Sequence, residues 1–171
     1  MRTLYLLRHA KSSSSDPRLP DQERPLAQRG RKDAKRIAEH LVRVGIEPEL
    51  VLCSPAKRTR ETLELVRPAL GAISTVRLET ELYAASADRL LERLRSVPEE
   101  VASVLLIGHN PGLQDLALVL ASSGTELDLL KAKFPTAALA TLSLAKATWK
   151  RLSEGDAVLA AYVVPKQLGR A

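Results

Sequence analysis

The chain holds one cysteine, Cys53, so no internal disulfide can form, and a reducing compartment, the cytoplasm, is the expected location. Aromatic residues make up only 3% of the 171. The core must therefore be built from Leu, Val, Ile and Ala, and faces on which nucleic-acid bases could stack are scarce. No apolar run approaches the ~20 residues of a membrane span, and the run at residues 4–7 is too short for a signal peptide. Several motifs are missing as well. There is no Gly-x4-Gly-Lys-Ser/Thr phosphate loop, no Gly-x-Ser-x-Gly nucleophile elbow, and no set of Cys, His or carboxylate at zinc-ligand spacing. A cysteine phosphatase needs Cys, five residues, then Arg. Counted from Cys53 that position is Thr59, with Arg58 one place early, so Cys53 reads as a small core residue.

Apolar residues at 45% and charged residues at 27% are ordinary for a globular chain, and the length fits one domain over residues 1–171. The net charge of +6 biases the protein toward anionic partners. Acidic residues are interleaved with the basic ones over 29–43, so the charge alone reads as a solvated face. With no RNA-binding or helix-turn-helix signature, neither nucleic acid nor a membrane is expected as a partner.

Strand-like and helix-like segments alternate. Residues 3–7, 50–53, 76–78 and 104–107 read as strands. Residues 28–44 carry apolar positions at helical spacing and stop at Gly45. Further helices are expected from Ser54-Pro55 to about residue 70, over 88–96 and over 113–121. Residues 137–144 and 157–164, with the turn Glu154-Gly155-Asp156 before the second, read as a hairpin. Such alternation predicts a three-layer α/β/α sandwich with a mostly parallel central sheet, to which the hairpin adds an antiparallel edge.

In such sheets ligands gather at the carboxyl ends of the strands. Three apolar runs end in polar clusters there: YLLRHAK in Arg8, His9 and Lys11; LVLCSPAKRTRET in Arg58; VLLIGHNPG in His109 and Asn110. If these strands are neighbours, two guanidiniums and two imidazoles converge. Guanidiniums match phosphate oxygens, and a neutral imidazole has a free lone pair for attack on phosphorus. The two helix starts would add backbone N–H groups for an anion. Cationic neighbours would keep His9 unprotonated. Phosphoryl transfer asks for this combination of positioning and charge neutralisation.

Arg8-His9 after the first strand, Ser54-Pro55-x-x-Arg58-Thr59-x-x-Thr62 after the second and Gly108-His109-Asn110-Pro111 later resemble the histidine phosphatase superfamily. The short length and the RHAKS opening are most similar to its SixA-type phosphohistidine phosphatases. That resemblance implies a phosphoglycerate mutase-like fold and no metal or organic cofactor. It implies His9 as a nucleophile that becomes phosphorylated, with Arg8, Arg58 and His109 holding the phosphoryl oxygens. A carboxylate acid would come from the region after the third strand, where Glu81 stands, with Glu79 as its alternative. The chain has little spare length for a lid over a small sugar phosphate. An open site is expected, for a phosphorylated protein or a small phosphorylated substrate, with Lys11 and Arg24 at its edge. A phosphoprotein-binding module without turnover and a basic nucleic-acid-binding protein are the competing readings.

Overall fold

The computed structural model describes residues 1–72 and 75–168. In chain order the elements are β1 (Arg2–Arg8), α1 (Gln28–Val44), β2 (Leu50–Cys53), α2 (Lys57–Val66), β3 (Thr75–Leu78), α3 (Ala87–Arg95), β4 (Ser103–Gly108), α4 (Gly112–Leu120), β5 (Ala121–Ser123), α5 (Leu127–Ala132), β6 (Leu139–Leu144) and β7 (Ala157–Val163). The strands form one sheet in the order β3-β2-β4-β1-β6-β7-β5. Strands β1 to β4 are mutually parallel, and β6 runs against both β1 and β7. The antiparallel strand thus lies inside the sheet, because β7 and then the short β5 continue beyond it.

The central strands are apolar throughout because both faces are covered. Leu4, Leu6, Leu50, Leu52, Val104 and Leu106 enter one core with residues of α3 and α4. Leu7, Val51, Cys53, Leu105 and Ile107 alternate with them and enter a second core with residues of α1 and α2. This period-2 split along each strand is what the three-layer sandwich requires. Burial of a Leu or Ile side chain contributes ~1.5–3 kcal/mol, and with few aromatics the aliphatic residues provide most of it.

Helix α1 spans the expected residues and ends at Gly45, whose φ of 72° is the left-handed cap that glycine adopts without penalty. The helix expected from residue 54 starts only at Lys57 and passes into a 3₁₀ turn at Arg67–Ala69, where Pro68 removes an N–H. Helix α3 is capped by Ser86, which accepts from the Arg89 N–H, with Asp88 two residues later in the first turn. No helix among the described residues is long and apolar enough to cross a membrane.

Gly30 sets how close α1 comes to the end of β1. A Cβ there would lie 2.1 Å from the Lys11 carbonyl oxygen, which already accepts from the Ala27 N–H at 2.9 Å. Alanine in a helix is worth ~1 kcal/mol over glycine, but backbone overlap of this kind costs ~1–3 kcal/mol or more. Gly30→Ala is therefore expected to lower the urea midpoint at unchanged m-value; an increase would mean that α1 moves away freely.

Candidate active site

The sheet register brings three chain segments to one level. Arg8 pairs with Gly108 and Cys53 with Ile107, so His9, His109 and Ser54 all follow the last paired residues of neighbouring strands. The His9 N–H donates to the Gly108 carbonyl at 3.1 Å and the Ser54 N–H to the Ile107 carbonyl at 3.1 Å. These bonds extend the ladder by one residue and fix where each following side chain starts. Arg58 reaches the same level from the first turn of α2, where it is buried.

His9 Nδ1 lies 2.7 Å from the Ala10 carbonyl oxygen. A carbonyl only accepts, so Nδ1 carries the proton and Nε2 keeps its lone pair. The Ala10 N–H donates to the Thr62 hydroxyl at 3.0 Å, and that hydroxyl donates to the Arg58 carbonyl at 2.7 Å. Thr62 therefore ties the His9 segment to the helix that carries Arg58. The rings of His9 and His109 have centroids 5.3 Å apart. His109 Nε2 is 2.7 Å from the Ser54 hydroxyl, while its Nδ1 faces Arg58 Nη2 at 3.4 Å. A guanidinium can only donate, so Nδ1 is bare and Nε2–H donates to Ser54.

Asp21 holds Arg58. Arg58 Nη1 donates to its backbone carbonyl at 2.7 Å and Nη2 to its carboxylate at 2.9 Å. Arg24 bonds the other carboxylate oxygen at 3.0 Å, and the Tyr83 hydroxyl donates a short hydrogen bond to the first. Arg8 Nη1 donates to the Phe134 carbonyl at 3.0 Å, as does Asn110 Nδ2. The Nε atoms of Arg8 and Arg58 are buried without a partner among the described residues. An orphaned donor costs ~1–3 kcal/mol, which an anion's oxygens would offset. Together these groups line a cleft of about 470 Å3.

Electrostatics follow from burial and charge. Burial pushes the His9 imidazole down to about 3, against the Ala10 hydrogen bond and with His109, Arg58 and Arg8 adding to the fall. The sequence pointed to the cationic neighbours; burial is the larger cause. His109 is pushed down to about 4, by burial first and then by Arg58. The Tyr83 hydrogen bond, and after it the Arg58 and Arg24 contacts, hold the Asp21 carboxyl well below the usual carboxylate range despite partial desolvation.

Both histidines are thus neutral in the folded chain down to about pH 4, whereas unfolded histidines take up a proton near pH 6.5. Their contribution to stability is full above about pH 6.5 and is lost as the pH falls toward the folded values. Between pH 6.5 and 4.5 each adds up to ~1.4 kcal/mol per pH unit to the slope of unfolding free energy. Urea titrations should show a slope lower by up to ~1.4 kcal/mol per pH unit in His9→Asn than in wild type; equal slopes would mean that His9 is already protonated when folded.

The cleft brings together Arg8, His9, Lys11, Arg24, Arg58 and His109. Glu81 does not join them. It sits exposed in a 3₁₀ turn, Thr80–Leu82, over a separate depression with Glu79, Arg89 and Arg93. Glu79 is bound to Arg93 at 2.6 Å. The chain reverses at Ala84, φ 53°, so that Tyr83 and Ala84, not the glutamates, line the cleft. Sequence reasoning missed Asp21 and Tyr83. Nothing in LPDQERPL marks Asp21, but Tyr83 is one of three tyrosines and lies two residues from the glutamate favoured as the acid. Pro25-Leu26 anchors the loop that precedes it: Leu26 is buried and the Ser13 N–H donates to the Pro25 carbonyl at 2.7 Å.

Residues 4–103 match the sequence profile of the histidine phosphatase superfamily (branch 1). An uncharacterized protein of Mycobacterium leprae (strain TN) is 35% identical over 167 residues, covering 94% of this chain and 100% of the relative. The solved structure of a SixA from Nakamurella multipartitia superposes with a TM-score of 0.82 at 31% identity, covering 96% of each chain. A structure of the protein histidine phosphatase SixA complexed with tungstate superposes with a TM-score of 0.78 at 26% identity, covering 96% of this chain and 97% of that one.

Proposed function

The chain belongs to the histidine phosphatase superfamily, and from that premise we propose that it hydrolyses a phosphomonoester or phosphoramidate, above all phosphohistidine on a protein, through a phosphohistidine intermediate on His9. The observation that carries this reading is the Nδ1-to-Ala10 hydrogen bond, which leaves a bare, unprotonated Nε2 beside two guanidiniums and a second imidazole. The Nε2 lone pair forms the N–P bond as the bond from phosphorus to the leaving group breaks. Arg8 and Arg58 bind the equatorial oxygens as charge shifts onto them, and His109 joins them once the dianion draws a proton onto its bare Nδ1. The Ala10 carbonyl stabilises the imidazolium character that the phosphorylated ring acquires. Water then attacks phosphorus, the N–P bond breaks, and inorganic phosphate leaves with the proton that water gives up. The neighbour's tungstate is a tetrahedral oxyanion, which supports an oxyanion site in this fold.

The lining favours phosphorus–nitrogen substrates. Its one carboxylate among the described residues is Asp21, held ionised by Tyr83, Arg58 and Arg24, so it cannot protonate an alkoxide at neutral pH. A phosphorylated imidazole leaves without a side-chain acid. Phosphoramidate and a phosphohistidine peptide should therefore be turned over far faster than an alkyl phosphate such as glycerol phosphate, with p-nitrophenyl phosphate, a good leaving group, between them. Glycerol phosphate cleaved as fast as the phosphohistidine peptide would require an acid and would sink the assignment. A cytoplasmic location belongs to the same reading, since Cys53 is a buried free thiol.

A further inference from the structure

Beside the cleft lies a second cavity of about 490 Å3, and the two share Thr136 in their linings. The segment from Lys133 to Thr136 is the wall between them. On the cleft side the Phe134 carbonyl accepts from Arg8 and Asn110; on the other side the Lys133 carbonyl accepts from the Tyr162 hydroxyl. The wall is thus fixed from both sides. Among the described residues four cations line the second cavity: Arg29, Arg36, Lys133 and Lys166. Arg29 and Arg36 flank the buried Asp33, at 3.9 and 3.4 Å. Lys133 and Lys166 are exposed and have no ion-pair partner among the described residues. The rest of the lining is largely apolar, with Leu129 54% exposed at the rim.

Resting on the phosphatase reading above, we propose that this groove receives the polypeptide that flanks the phosphorylated residue, a segment with acidic side chains and an aliphatic one. Acidic groups pair with Lys133 and Lys166, and the aliphatic side chain covers Leu129. Charge complementarity names the occupant, and the shared wall sets its place within a few residues of a phosphoryl group at His9. Nucleic acid fits less well: the one ring among the described residues of the groove, Tyr162, is buried and engaged at its hydroxyl, so none of them opens an aromatic face to a base. Substrate choice then comes from this groove, and chemistry from the cleft.

The test uses two fluorescein-labelled peptides of equal length with one central histidine, flanked by Glu and Leu in one and by Lys and Leu in the other. Each is phosphorylated on that histidine, and phosphoramidate serves as the small substrate. Wild type should hydrolyse the acidic peptide with about tenfold higher kcat/KM than the basic one. Lys133→Glu/Lys166→Glu should erase that preference and leave phosphoramidate turnover within about twofold of wild type. Reversing Lys150 and Arg151, on the β6–β7 connection at the opposite end of the sheet, should change neither. Equal rates on both peptides, or a preference that survives in the groove variant, overturn the groove. Should wild type fail to cleave phosphoramidate at all, the enzymatic reading falls, and anisotropy of the unphosphorylated acidic peptide decides the groove alone. Binding weakened only by Lys133→Glu/Lys166→Glu supports it; equal binding by all three proteins overturns it. Full displacement of the acidic peptide by an equimolar single-stranded RNA overturns the polypeptide assignment.

Discussion

His9→Ala is expected to reduce turnover of phosphoramidate by on the order of 10^4-fold or more, because no other group among the described residues of the cleft offers a neutral lone pair in the same place. His109 cannot substitute. Its Nδ1 is occupied by Arg58 and its Nε2 by Ser54, so freeing either nitrogen would break a buried contact. Although it follows a strand end, His9 is only 7% exposed. Alanine therefore also removes packed volume, so its effect on activity mixes chemistry with folding. His9→Asn keeps a donor for the Ala10 carbonyl and fills most of the space, so it separates chemistry from folding. Rapid quenching and mass spectrometry should find acid-labile phosphate on His9 in wild type and in neither variant. A phosphorylated protein in either variant, or residual turnover near wild type, would place the nucleophile elsewhere.

The fold was legible wherever one local rule and the tertiary environment agreed. Leu50–Cys53 is a strand because four consecutive apolar residues need two covered faces, and Gln28–Val44 is a helix because its apolar stripe repeats and ends at a left-handed glycine. Elements without such a rule escaped. Helix α5 has six residues, too few to display a period, and β5 is Ala-Ser-Ser, with no strand-forming side chain. In the candidate site the same division holds. Arg8, His9 and His109 stand at strand ends whose register aligns them, and Arg58 in the first turn of the helix after β2, so position in sequence implied position in space. Asp21 opens a 3₁₀ turn (Asp21–Glu23) in the connection from β1 to α1, and only the folded chain shows that its carboxylate and carbonyl together grip Arg58. Glu81 failed because sequence distance after β3 cannot report the reversal at Ala84 that turns Tyr83 inward instead.

Arg58→Ala should cost more than the loss of one cation. Removing an oxyanion donor from a preorganised site costs ~10^2–10^3 in rate. Here the deletion also strips Asp21 of the guanidinium that neutralises it, leaving a carboxylate at the mouth of a cleft that must accept a dianion. Tyr83 and Arg24 still hold that carboxylate ionised. The two effects separate in a double-mutant cycle. Asp21→Asn alone frees Arg58 for the substrate and should lower the inhibition constant of inorganic phosphate. Arg58→Ala/Asp21→Asn should recover about tenfold of the activity lost in Arg58→Ala, because the repulsion has gone although the donor has not returned. A double variant no better than Arg58→Ala would mean that the carboxylate swings clear of the phosphoryl group. Reduced stability with undiminished specific activity would make Arg58 a structural residue, its buried bonds to Asp21 serving only to close the loop over the cleft.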